Sequence, residues 1–430
     1  MTRPFTQHYQ IRDNIVAGLI SYCTVVPSIL ICYFLLEPIF QSTFPLLSLL
    51  CLWAGLTTVA SSFWTRMPII LIPNISVISL VIFSLYWGEA WSKSHLVLLF
   101  FMVNILLLIV GFLRIGKLIE NALPPFYSAA LMVGLGVLLI SAGLRLGGFI
   151  TAHPITLSVW GEMTTRSTVI ITIGLSFYFI ARIKSYLAPM LWGLGAAVLG
   201  SFLLNTPKNN LTAPSLISSN ISDIILLPNF EMVTVDLIPA IMTVSFIIVF
   251  ESLLIGYALR YYYPQTYNLD RIFKICGIGG IFSAICGLPG SLPAPEGLGA
   301  VISNNRSWQS GLFTGGLLIL SAFILPILSL PGSYIRVGPE VLVYPIGGTL
   351  IILVGIGCLT AIRRIDWHAN DQLIVALTIC ILVPITQSIL NGFGISLLIY
   401  VGYQILNGES RNIPPILYVL NVIFILKFLY

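Results

Sequence analysis

Fifteen apolar runs alternate with short polar segments along the chain, at 14–36, 44–63, 68–87, 95–113, 124–141, 168–181, 186–205, 236–259, 271–288, 294–304, 310–330, 341–361, 372–390, 392–406 and 413–429. The longer ones approach the roughly 20 residues that a helix needs to cross a bilayer. Some are too short for a full straight span, and the last two read as a bent pair. The pattern predicts an all-α polytopic membrane protein of about 14 transmembrane segments. In lipid each run must be helical, or be shielded by protein where it is not.

Composition agrees. Of 430 residues, 57% are hydrophobic and 8% charged, with a mean hydropathy of +1.00. A soluble domain carries about 25% charged residues. This excludes a soluble enzyme, and it excludes disorder, which needs low hydrophobicity and high charge. The formal charge of +5 comes from single basic residues spread through the loops. That spacing predicts no nucleic-acid partner and instead reports orientation. With a cytoplasmic N-terminus and alternating spans, the inside loops hold Arg3, Arg12, Arg66, Arg114, Lys117, Arg182, Lys184, Arg260, Arg271, Lys274, Arg306, Arg363 and Arg364. The outside loops hold only Lys93, Arg145, Arg166, Lys208 and Arg336, with Arg411 and Lys427 unassigned. The bias fits the positive-inside rule. The first run has no small-residue cleavage site after it, so it reads as a span rather than a leader. His8, His95, His153 and His368 fall in loops or at span ends, and the seven cysteines form no CxxC pair. The cysteines read as small buried hydrophobes, and no metal or cofactor is expected.

Two segments are not ordinary spans. The third reads Pro68-Ile-Ile-Leu-Ile-Pro73-Asn-Ile-Ser-Val77, and the tenth reads Leu288-Pro-Gly-Ser-Leu-Pro-Ala-Pro-Glu296-Gly-Leu-Gly299. Proline breaks a helix interior but is tolerated in a first turn. Both segments are therefore expected to be extended first and helical afterwards. Pro73 and Glu296 lie 223 residues apart, about half the chain. Interrupted spans at matching places in two halves point to the central site of a transporter. The plainer alternative is a pair of proline-kinked spans.

Two acidic residues fall inside the apolar runs. Glu251 lies in Ile247-Ile-Val-Phe-Glu-Ser-Leu-Leu-Ile-Gly256, and Glu296 opens the half-helix of span ten. A carboxylate inside the membrane is costly and marks a functional site by default; the alternative is a protonated carboxyl held between helices. Glu296, at a helix N-terminus, is placed to stay ionised and accept N–H bonds from a flat heterocycle. Burial among apolar side chains disfavours a charged carboxylate, which makes Glu251 the candidate for proton coupling, with substrate contact as its other role. Asn74 and Ser76 are expected on the opposite wall, Ser252 as a polar contact beside Glu251, and Gly297 as a point of close backbone approach.

These residues lie within a wider similarity. The stretch Val383-Pro-Ile-Thr-Gln-Ser-Ile-Leu-Asn-Gly-Phe-Gly-Ile-Ser-Leu-Leu-Ile-Tyr400 resembles the "MPLTYSIANGIGFGFISY" pattern of the adenine/guanine/hypoxanthine permeases, a branch of the nucleobase–cation symporters. Ala152-His-Pro-Ile-Thr-Leu-Ser-Val-Trp-Gly-Glu-Met-Thr164 is similar to the family's "ADPATL…LGDLT" loop, and Glu296 followed by Gly299-Ala-Val301 to its "ESAAGV" half-helix. The resemblance implies two inverted seven-span repeats of the uracil-permease type, here 1–205 and 236–430 around an extracytoplasmic loop at 206–235. It also implies interleaved core and gate domains, short extended elements in spans three and ten, and proton-coupled uptake of a purine nucleobase by a multi-pass protein of the cytoplasmic membrane. A homodimer is compatible with it. The family's binding carboxylates in spans eight and ten fall on Glu251 and Glu296. The chain departs from the family at three places. "DLFDT" becomes Ile248-Val-Phe-Glu-Ser252, "APGMGLNA" becomes Ile72-Pro-Asn-Ile-Ser-Val-Ile-Ser79, and a threonine-rich stretch becomes Ser291-Leu-Pro-Ala-Pro295.

The alternatives are an anion transporter of the related sulfate-permease architecture, a carrier of another small heterocycle, a membrane enzyme and a channel. Two acids facing the site argue against the anion transporter. An enzyme would need an Asp/His/Lys cluster at a loop, and a channel a repeated pore motif; neither is visible in the sequence.

Overall fold

The computed structural model describes residues 11–40, 45–89, 91–153, 157–186, 188–204, 225–232, 237–263, 268–302, 307–324, 335–337 and 341–429. Of the expected loop at 206–235, only 225–232 are among them. The first half holds α1 (Ile11–Leu36), α2 (Leu46–Thr65), β1 (Leu71–Pro73), α3 (Ile75–Leu80, continued by a π-helical stretch Val81–Tyr86), α4 (Lys93–Phe112), α5 (Ile115–Ala122), α6 (Phe126–Leu146), β2 (Ile150–His153), β3 (Leu157–Trp160), α7 (Arg166–Ile183) and α8 (Pro189–Leu203). The second holds α9 (Leu237–Leu259), α10 (Leu269–Ile285), β4 (Ser291–Pro293), a 3-10 turn Pro295–Leu298, α11 (Gly299–Ile302), α12 (Trp308–Ile324), β5 (Ile335–Val337), β6 (Val341–Val343), α13 (Pro345–Cys358), α14 (Asn370–Thr386), α15 (Ile389–Leu406) and α16 (Pro415–Leu429).

The chain is a mostly helical, polytopic membrane protein. Among the described residues eight helices are long and apolar enough to cross a bilayer, and five further apolar helices are shorter. Large side chains such as Phe63, Ile183, Leu203 and Leu406 lie exposed on the outside. In water such a surface would aggregate, whereas acyl chains match it.

Spans three and ten are extended and then helical, as their prolines predict. β1 and β4 pair antiparallel, with Leu71 opposite Pro293, Ile72 opposite Leu292 and Pro73 opposite Ser291. Two three-residue strands inside a membrane leave backbone groups to be satisfied. Thr58 on α2 does this for Leu71, its hydroxyl donating to the carbonyl at 3.2 Å and accepting from the N–H at 3.0 Å. Ser61 Oγ donates to Ile69 O at 2.7 Å, Cys32 Sγ to Pro73 O at 3.4 Å, and Ala294 N to Ile70 O at 3.1 Å. The hydroxyls of α2 thus hold the strand pair at membrane depth.

Helices of the two halves meet at glycine. A Cβ on Gly55 of α2 would stand 2.8 Å from the carbonyl of Gly315 on α12, and one on Gly315 would stand 2.9 Å from that of Gly55. Gly143 on α6 and Gly348 on α13 oppose each other in the same way. Small residues at such crossings let backbones approach and gain dispersion contact that lipid cannot supply.

One expectation needs correction. The chain is not purely helical: besides β1–β4, hairpins form at β2–β3 and β5–β6. The run 294–304 holds a 3-10 turn and a four-residue helix among its described residues, the short half-helix that its prolines predict. Besides the turn at 407–414 that separates the last two helices, the chain breaks at Gln387, in left-handed conformation (φ 51°), between α14 and α15. Pro384 has already removed a donor from the end of α14 there.

Candidate functional site

The strand pair places two half-helices side by side. Asn74 follows Pro73 in extended conformation and caps α3, its Oδ1 accepting from Val77 N at 3.1 Å. Its amide donates from Nδ2 to Glu251 Oε2 at 2.6 Å. Ser76, exposed at the first turn of α3, lines the same cavity as Glu251. Across the strand pair, Pro295 occupies the first turn of the 3-10 segment, and Glu296 follows it. Ser28 on α1 donates to Glu296 Oε1 at 3.0 Å. Ser21, two turns earlier on α1, donates to Gly297 O at 3.1 Å and accepts from Ala300 N at 2.8 Å. α1 thus holds the span-ten half-helix in place through two serines.

A cavity of about 620 Å³ lies against these elements. Asn74, Ser76, Ser79, Glu251 and Glu296 line it, together with Gln387, Ser388 and Asn391 at the α14–α15 break and Lys427 on α16. Its apolar wall comes from Ile72, Leu135, Leu138, Leu139, Ile255 and Leu390. Glu251 is only 5% exposed, so its carboxylate meets the cavity at an edge. Such a chamber suits a flat molecule with apolar faces and polar edges: carboxylates accept from N–H groups, while Lys427 and the amides donate.

The structure brings together four of the six residues singled out in the sequence, Glu251, Glu296, Asn74 and Ser76. Asn74 and Ser76 stand beside Glu251 rather than across from it. The other two are not lining residues. Ser252 is fully buried, and its hydroxyl has no hydrogen-bond partner among the described residues. Gly297 is a packing position, where a Cβ would meet Ile70 Cβ at 2.6 Å. The structure adds Ser28, which holds Glu296, and Gln387, Asn391 and Lys427, which line the cavity. Lys427 hydrogen-bonds Asn391 Oδ1 and lines the same cavity as Glu251.

No family model matches the chain. It is 26% identical over 321 residues to the guanine/hypoxanthine permease PbuG of Bacillus subtilis (strain 168), covering 73% of this chain and 70% of that one. It is 20% identical over 432 residues to the adenine permease AdeP of Escherichia coli (strain K12), covering 97% and 93%. The chain is similar to the purine-permease branch of the nucleobase transporters. That similarity agrees with the resemblance carried by the C-terminal motif and the span-ten half-helix. Among solved structures, the transmembrane domain of the cyanobacterial bicarbonate transporter BicA superposes with a TM-score of 0.54 at 17% identity, covering 90% of this chain and 98% of that one. At that identity the likeness is one of fold.

Proposed function

We propose that the chain is a secondary active transporter that carries a purine nucleobase across the cytoplasmic membrane in symport with protons. It is a permease, not an enzyme. The observation that carries the reading is the meeting of Glu251 and Glu296, from interrupted spans and their partners, on one cavity. A purine is flat, apolar on both faces and edged with N–H donors. Glu296, held by Ser28, accepts those donors. Glu251, nearly enclosed and hydrogen-bonded by Asn74, takes up the coupling proton. The paired strands let one half-helix from each repeat frame the substrate while irregular backbone stays shielded from lipid. The reading includes fourteen spans in two inverted seven-span repeats, a cytoplasmic N-terminus and one membrane domain built of core and gate parts, compatible with a homodimer.

The test is uptake of labelled guanine, hypoxanthine and adenine into proteoliposomes, with and without an inward proton gradient. Accumulation of at least one base that collapses with the gradient supports the reading. No uptake of any base by protein that is folded and correctly inserted sinks it. A second reading is anion transport, favoured by the ammonium of Lys427 in the cavity and by the shared fold with BicA. Labelled bicarbonate and sulfate in the same vesicles test it.

A further inference from the structure

A second large concavity lies away from the transport cavity, between α1, α7 and α8. Its volume is about 590 Å³. Val16, Ile173, Phe177, Trp192 and Leu199 make its walls, and Arg12 is its one charged lining residue. We propose that this groove binds an anionic phospholipid, with the headgroup at Arg12 and one acyl chain along α8.

Three observations carry the proposal. The first is charge. Arg12 is exposed, and among the described residues no ion pair joins it to the neighbouring Asp13. Arg182 and Lys184 stand exposed at the end of α7, the end from which the chain turns into α8, so this rim is basic. The N-terminus of α8 opens there as well, and its dipole adds partial positive charge. The second is depth. Tyr186 and Trp192 pack with ring centroids 5.5 Å apart at the same rim. Such aromatic pairs sit at headgroup level, which puts the basic rim at the membrane surface. From Ala188 to Leu203 the groove follows α8 for about 22 Å at 1.5 Å per residue. That exceeds the roughly 15 Å depth of one leaflet, half of a 30 Å core. The third is space. A Cβ placed on Gly195 would meet nothing within 4 Å, so the wall is open where a chain would lie.

The test reads Trp192, which is 50% exposed, by its fluorescence. The full chain is reconstituted in vesicles containing brominated phosphatidylglycerol or brominated phosphatidylcholine. The Trp192 signal is taken as the difference from Trp192→Phe. Preferential quenching by the anionic lipid is expected, reduced about fivefold in Arg12→Gln, which is the worth of one basic residue near an anionic surface. Gly195→Leu fills the groove and lowers the phosphatidylglycerol retained in native mass spectrometry. Neither substitution enters a packed core, and thermal melts confirm folding. Equal quenching by the two lipids, or a preference that survives Arg12→Gln, overturns the proposal. Absence of quenching by either lipid overturns it too, because the groove is then covered by protein, such as the residues that precede α1.

Discussion

Asn74 and Glu251 are joined at 2.6 Å, although 177 residues separate them. The same asparagine caps α3 through its other amide atom. One side chain therefore starts a half-helix of the first half and orients the enclosed carboxylate of the second. Asn74→Ala should lose the cap, about 1 kcal/mol, and leave a buried carboxylate short of a donor, a further ~1–3 kcal/mol. Asn74→Asp keeps the cap but sets two carboxylates against each other. Thermal melts in detergent should fall for the alanine variant and recover in part for aspartate, while base binding should be weakened in both. Unchanged binding in Asn74→Asp would show that the bond to Glu251 is structural only.

The two carboxylates should separate by substitution. Glu296→Gln removes the charged acceptor and leaves substrate donors poorly paired. The cost is about 1.5–3 kcal/mol, tenfold or more in affinity, and binding should fall below detection. Glu251→Gln mimics the protonated group. It should retain binding and exchange while losing concentrative, pH-driven uptake. Exchange of labelled for unlabelled base, set beside gradient-driven accumulation, reads the difference. The role assigned to Glu251 is falsified if the variant still accumulates base with the same pH dependence.

How far the site was legible in the sequence follows from what each signal encodes. Prolines at 68, 73, 289, 293 and 295 act locally, so they disclosed the extended-then-helical form of both segments. An acid in an apolar run is visible without knowledge of its neighbours, so Glu251 and Glu296 stood out. The pairing of β1 with β4 is a long-range register that no local pattern specifies. The sequence pattern therefore puts Asn74 and Ser76 on the wrong side of the cavity. Ser28 is one of several serines in α1, and only the fold aims it at Glu296. Ser252 follows Glu251 directly, but a helix turns about 100° per residue, and that rotation carries it out of the cavity. Lys427 could have been found by applying to the last apolar run the rule that marked the acids.

The glycine crossing of α2 and α12 should be intolerant. A side chain at Gly55 meets Gly315 O at 2.8 Å and Ile319 N at 2.8 Å, both backbone atoms that no rotamer change moves. Gly55→Leu should therefore separate the helices and lower stability by roughly 1–3 kcal/mol or more, the cost of overpacking. α2 also carries Thr58 and Ser61, which hold β1, so transport should fall with stability. Gly316, one residue along, has open space at its Cβ position. Gly316→Leu should melt close to the parent, and equal loss in both would remove the packing explanation.

Lys427 offers the sharpest test between the two substrate readings. It lines the same cavity as Glu251 and hydrogen-bonds Asn391. Lys427→Met keeps the length of the side chain and removes its charge. If Lys427 serves mainly as counter-charge to Glu251 in a nucleobase carrier, the single substitution should weaken base binding by about tenfold, near 1.4 kcal/mol. In a Glu251→Gln background the same substitution should cost little, because its partner is already neutral. The double-mutant cycle would then show a coupling well above the few tenths of a kcal/mol typical of independent sites. If the ammonium instead receives an anion, Lys427→Met should abolish transport with Glu251 present or absent, and the two effects should add. Base binding and bicarbonate uptake measured across the four proteins of the cycle distinguish these outcomes. Additive losses of base binding would end the counter-charge role.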